Sequence, residues 1–394
     1  MDTSYDPHAH PLLLMEGGPL YRIERRIGLA KSNSPRIIRR AFLSVAITWV
    51  PMLILCLLQG VAFGKNVTVP FLKDYSAYTR FLLALPLFLA AETILGPRIA
   101  EAAAHFVRSG LIGPKDYSNF DDAVKRGLQM RDSIIAEIII VLLSYTITFE
   151  AAREIPLKAS TWHVVQTGAG PAASWANWWL VIFCAPLLQF LFLRWLWRLF
   201  LWFRFLRSMR SLDLDLVPTH PDRAAGLAFV GETQRFFGIL LFIYSIGAAG
   251  VLANQVVYDG VPLQHFAIPI AVYVCFGVIV VVGPLALFAG ILIEAKRIGL
   301  LQYGTLASSY TSSFHNKWIR GINESDEQLL GSGDIQSLAD LGNSYEFIER
   351  MNTLLVTPRT ILQLAVMTVL PMVPLLLTVM SPKEIAQLLL KVLM

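Results

Sequence analysis

Two carboxylates stand where a membrane would least tolerate them. Glu92 is the one charge in residues 81–97, and Glu137 is the one charge in residues 133–149. A carboxylate inside an apolar span is costly, so it usually faces a bundle interior, a partner or a cavity. Glu92 lies twelve residues past Arg80, and Glu137 five residues past Asp132. The counting sets both acids at comparable height, in the half of the bundle nearer the basic loops. Arg194, near the end of another apolar run, is the natural counter-ion. The chemistry on offer is a proton or cation site. A structural ion pair, or an acid neutralised by protonation, accounts for the same residues.

A second polar group follows the fourth apolar run, in the sequence Val217-Pro218-Thr219-His220-Pro221-Asp222-Arg223-Ala224-Ala225-Gly226-Leu227. His220, Asp222 and Arg223 suit a ligand or proton site built on an imidazole. They also suit a turn in which proline fixes the backbone, Asp caps the next helix and Arg pairs with an acid. Further along, Asp334 is placed to cap a helix, and Leu338, Leu341, Tyr345 and Ile348 then follow at helical spacing. The two loops are expected to share a cap, with Arg223 near Asp334 or Asp340. The HPDRAAGL stretch and the GSGDIQSLADL stretch at 331–341 resemble signatures of uncharacterised bacterial multi-pass inner-membrane proteins. That resemblance implies the location and the layout, and no activity, ligand or catalytic residue.

Other reactive side chains are sparser. Glu101 and His105 share a helix face, which fits a hydrogen-bonded pair better than half a metal site. His163, beside Trp162, reads as an interface anchor. Cys56, Cys184 and Cys275 each sit in a long apolar run and read as packing residues. No phosphate-binding glycine loop, HExxH or GxSxG occurs. No catalytic, cofactor-binding or metal-ligating set is therefore assigned, and an enzyme is the weakest of the functional readings.

The elements that must position these residues follow from composition. Of 394 residues, 55% are hydrophobic and 15% charged, against about 25% charged in an average soluble domain. The mean hydropathy is +0.56. These values exclude a soluble domain, a disordered chain and a disulfide scaffold, and leave an all-α polytopic membrane bundle. About 20 residues of helix cross a hydrocarbon core of about 30 Å. Seven spans meet that length, at 41–64, 81–97, 133–149, 174–193, 236–258, 266–293 and 361–380. Residues 1–40 form a basic amphipathic N-terminal segment without a signal peptide, and 381–394 form a short tail. The loops at 98–132, 194–235 and 294–359 lie on the same side as the N-terminus. The first of them is expected to be a helical hairpin turning at Gly113-Pro114, which would make spans two and three antiparallel neighbours.

The N-terminal segment and these three loops hold 26 of the 33 Lys and Arg residues. The positive-inside rule then places them in the cytoplasm and the tail outside, which the resemblance implies is the periplasm of a bacterial inner membrane. Trp175, Trp178 and Trp179 at one end of span four, and Trp195, Trp197 and Trp202 at the other, are expected to form interfacial belts. Arg194, Arg198, Arg204, Arg207 and Arg210 would snorkel beside the second belt. The basic segment 20–40 suits anionic lipid rather than nucleic acid. Proline occurs in five of the seven spans, and span five has small residues instead. Together these features point to a transporter or channel for a small solute or ion. A scaffold or sensor presenting a cytoplasmic cap is the alternative, and a homo-oligomer remains open.

Overall fold

A computed structural model of the chain describes residues 11–26, 28, 37–64, 67–153, 160–168, 170–321 and 331–378. The tail 381–394 and the basic residues Lys31 and Arg36 lie outside the described residues. Ten helices stand among the described residues, and seven of them are long and apolar enough to cross a membrane. A short helix α1 (Pro19–Arg26) precedes the first span, α2 (Ile37–Leu58). The second span is α3 (Tyr75–Arg108), followed by α4 (Tyr117–Arg131). The next spans are α5 (Ile134–Arg153), α6 (Trp175–Arg210), α7 (Ala228–Tyr258) and α8 (Leu263–Ile319). A loop helix α9 (Asp334–Glu349) then leads to the last span, α10 (Pro358–Thr378). The chain is thus an all-α, multi-pass integral membrane protein. Its outward face is the apolar one: along α5, Ile134, Ile135, Ile138 and Leu142 are all exposed.

Several spans run well past the hydrocarbon length. The stretch 305–313, within the expected loop 294–359, continues α8 as helix. Proline decides the local geometry of two long spans. Proline has no amide hydrogen, and its ring crowds the carbonyl four residues back. In α3 the turn before Pro86 widens to a π-turn over Thr79–Ala84, where the Leu85 amide donates to the Arg80 carbonyl. In α6 the same happens before Pro186 over Leu180–Cys184, where the Ala185 amide donates to Leu180. Each helix is thereby divided into a short arm and a long one.

The loops gather at two ends. At one, Val69 bridges Thr161, and a hairpin pairs Val164–Thr167 with Gly170–Ala173. Asp74 is the hub of that end. Its carboxylate caps Ser76 and Ala77, and it accepts from Trp162 Nε1 and from Asn254 Nδ2, each at 2.7 Å. His163 stacks on Trp162 and bonds Asn177, and burial lowers its pKa.

At the other, basic end the chain turns after Gly113 into α4, which packs on α6 rather than back along α3, so the expected hairpin is a turn between two helices and not a packed pair. The span that follows α4 also packs on α6, rather than beside α3 as its connection suggested. The tryptophans at this end differ from expectation as well. Trp195 and Trp202 are fully buried, because α6 is the central helix and its basic end is covered by α4 and the neighbouring loops. Trp175 and Trp178, at the opposite end, are exposed. Cys56 and Cys184 are buried, but Cys275 is on the outward face of α8.

Candidate functional site

Glu92 is buried on the long arm of α3 and is the centre of an ion cluster. Its Oε2 accepts from Arg40 Nη1 at 2.8 Å, and its Oε1 accepts from Arg198 Nη1 at 2.7 Å. Arg194 Nη1 stands 3.8 Å from the same Oε1. Arg194 and Arg198 are four residues apart on the long arm of α6, so both reach the same face. Arg40 comes from the first turn of α2. One carboxylate therefore joins three spans, and all three arginines are buried.

The spare donors are taken up by the N-terminal segment. Arg40 Nη2 donates to Glu24 on α1 at 3.0 Å. Arg198 Nη2 donates to the Met15 carbonyl at 3.3 Å, and Arg194 Nη2 to Gly17 at 3.4 Å. Leu12, Leu14 and Met15 are themselves buried and anchor this segment. A glycine at 96 lets Met15 approach α3, since a Cβ there would meet the Met15 side chain at 3.2 Å. Arg194 and Arg198 thus do not snorkel. They turn inward, because a buried carboxylate and the Met15 and Gly17 carbonyls are within reach.

Glu137 is near this cluster but held differently. Its Oε1 accepts from the Leu20 amide at 3.1 Å, and its Oε2 is buried without a hydrogen-bond partner. Arg194 Nη1 is likewise without one. Both residues line a cavity of about 20 Å³, together with Gly17, Arg131 and Arg198. That is room for a single water, which needs roughly 10–15 Å³ by the same measure. Glu137 and Arg194 thus share one small cavity beside the Glu92 cluster, and the ion pair of Arg194 is with Glu92. Asp132, at the start of α5, accepts from the Gly18 amide at 2.7 Å and from Arg131. Burial opposes its charge, but these bonds prevail and its pKa is lowered.

The candidates at the basic end resolve into a turn and a cap. Asp222 accepts from the amides of Ala224 at 2.8 Å, Gly226 at 3.1 Å and Ala228 at 3.0 Å. Burial would raise its pKa, but the three amides and the His220 ring outweigh it and the net shift is downward. His220 Nδ1 lies 2.8 Å from that carboxylate, with its ring half exposed. Arg223 and Ala225 adopt positive φ, at 55° and 53°, as the tight turn requires. The loop does meet the α9 region, since the Asn352 amide donates to the Arg223 carbonyl at 2.8 Å. The expected acid partner is different. The Arg223 side chain is beside Asn343, Glu346 and Arg350, at the far end of α9 from Asp334. Asp334 accepts instead from Lys317 Nζ at 3.0 Å and Trp318 Nε1 at 2.8 Å, which lowers its pKa, and it does not cap α9. Asp340 accepts from Gln336 at 2.8 Å.

Among the described residues no group of three or more His, Cys, Asp or Glu side chains is placed to hold a metal ion. Glu101 faces Arg108 at 3.8 Å, while His105 packs edge-on against Phe229. Sequence reasoning missed Arg40 and Arg198. Both sit in runs of basic residues that charge topology already explains, so nothing set them apart. Glu24 was missed for the same reason, and Arg80 was taken as lying outside its span although it sits in the π-turn of α3.

The fold and the site define a helical integral membrane protein with a buried charge cluster. No family model, no curated protein and no solved structure matches this chain.

Proposed function

We propose that the protein transports a small ion or solute across a bacterial inner membrane, with its basic end in the cytoplasm, and that the Glu92 cluster locks its closed state. The observation that carries this reading is the placement of the cluster. Glu92 is on the long arm of α3 and Arg194 and Arg198 on the long arm of α6, and each arm begins at a π-turn followed by proline. π-turns and prolines are where helices bend. An intramembrane ionisable cluster is by default part of a substrate or ion pathway. Releasing Glu92 from its arginines would free both arms to swing about their hinges. The cavity of about 20 Å³ beside the cluster fits a closed state, since it is too small for a solute.

A scaffold or sensor is the second reading. It is favoured by the formed cap, in which the 217–227 loop, α8 and the end of α9 pack together. The imidazole–carboxylate pair of His220 and Asp222 gives an enzyme little support, because the carboxylate is already occupied by three backbone amides. The test is flux into proteoliposomes of purified protein, assayed for protons, potassium, chloride and small organic anions. Transport predicts flux above protein-free liposomes that changes when Glu92→Gln is introduced. Flux equal to the protein-free control for every ion and solute, in both proteins, would leave the scaffold reading in its place.

A further inference from the structure

An apolar groove of about 460 Å³ runs between α5 and α6 and is roofed by α1. That volume falls within the range of about 300–1,000 Å³ usual for small-ligand sites. Its walls include Ile138 and Leu142 of α5 and Phe183 and Phe190 of α6, and its roof is Leu20 and Ile23. The neighbouring outward residues of α5, Ile134, Ile135 and Ile139, are exposed and apolar. The groove therefore opens onto hydrocarbon. From Glu137, beneath α1, to Tyr145 is eight residues, or about 12 Å of helix.

The one charged side chain that lines the groove is Glu137, whose Oε1 accepts from the Leu20 amide, and the rim that α1 forms beyond it is basic. On α1, Leu20 and Ile23 face the groove, and Arg26 continues the same stripe one turn later. Arg22 and Arg25 flank it, and all three arginines are exposed. The one acid of this helix, Glu24, is turned inward onto Arg40. What is left facing out is a short apolar stripe ending in three cations. We propose that this groove is a binding site for an anionic membrane phospholipid, with an acyl chain between α5 and α6 and the phosphate at Arg22 and Arg26.

Both halves of the site match this occupant. The apolar walls offer an acyl chain contacts with side chains from three elements, and the arginines at the mouth attract negative headgroups. A neutral lipid would satisfy the groove and leave the cations without a phosphate charge. The site also reaches the buried cluster. Its roof α1 holds Glu24 against Arg40, and the Leu20 amide donates to Glu137. A lipid that presses α1 onto the bundle therefore favours the arrangement in which Arg40 holds Glu92, and by linkage that arrangement favours the lipid. The proposal stands on the groove and α1 alone, whatever the protein transports.

The experiment is native mass spectrometry of the full chain, released from micelles doped with equimolar phosphatidylglycerol and phosphatidylcholine. The wild-type protein should retain phosphatidylglycerol in preference. Each of Arg22→Gln and Arg26→Gln should weaken that retention about fivefold, since one arginine near an anionic surface is worth about 1 kcal/mol. Leu142→Trp, which fills the groove without touching a charge, should remove retention of both lipids. Equal retention of the two lipids by wild type, or a preference unchanged by the arginine substitutions, would overturn the proposal. So would a protein dimer that Leu142→Trp dissolves while bound lipid stays constant, since a second copy would then be the occupant.

Discussion

Glu92 answers to three arginines, and that ratio sets what its removal does. Breaking a buried ion pair by deleting one partner costs about 3–5 kcal/mol, because the remaining charge is left uncompensated. Glu92→Gln should therefore lower the thermal midpoint in detergent far more than a substitution of an exposed acid such as Glu232. Arg198→Met should be similarly damaging, since Arg198 bonds Glu92 at 2.7 Å. Arg194→Met should be milder, because its guanidinium is 3.8 Å away and one of its nitrogens has no hydrogen-bond partner. Equal losses for Arg194→Met and Arg198→Met would show that distance does not rank these contacts. Asp222 makes a prediction in pH. Its pKa is lowered in the folded protein, so its contribution is full above the usual aspartate value of about 3.9. It is lost as pH falls through the lower folded value. Limited proteolysis of the 217–227 loop should be flat from pH 7 to 5 and rise only in stronger acid. Asp222→Ala should make the loop labile at every pH, at a cost on the order of 2–3 kcal/mol.

At the scale of elements, the cap depends on close approach. Gly299 of α8 lies under the HPDRAAGL loop, where an added Cβ would meet Pro218 at 2.7 Å and Ile348 at 3.2 Å. Gly299→Val should therefore push the loop and the end of α9 apart, at about 1–3 kcal/mol for overpacking. Faster amide exchange confined to 217–227 and 343–352 would be the signature, and unchanged protection there would mean the contact is not tight. The sequence made the spans and the turn between α3 and α4 legible because hydrocarbon thickness and the Gly113-Pro114 pair act locally. It made Glu92 and Arg194 legible because a charge in or beside an apolar run stands out. Arg40 and Arg198 were hidden among other basic residues, and the role of Leu12–Met15 depends on a partner helix far away in the chain. Helix neighbours were hidden for the same reason: α5 follows α4 in sequence but packs on α6 through tertiary contacts. The π-turns had no signal beyond a proline, which also occurs in spans that bend otherwise.

At the scale of the molecule, the loops already divide between two ends, and the membrane should read that division as sidedness. In intact cells, a cysteine at Asp259 should react with an impermeant maleimide and one at Lys115 should not, in a background lacking the native cysteines. The reverse pattern would invert the assigned orientation. The central claim is that the Glu92 cluster holds the long arms of α3 and α6 together. Spin labels at Arg108 and Arg207, exposed near the ends of those arms, report their separation directly. The wild-type protein in lipid nanodiscs should give one narrow distance distribution, and Glu92→Gln should add a second, longer population while the protein stays folded. A folded Glu92→Gln protein with the wild-type distribution unchanged would contradict the account, and would make the cluster a structural bond rather than a lock.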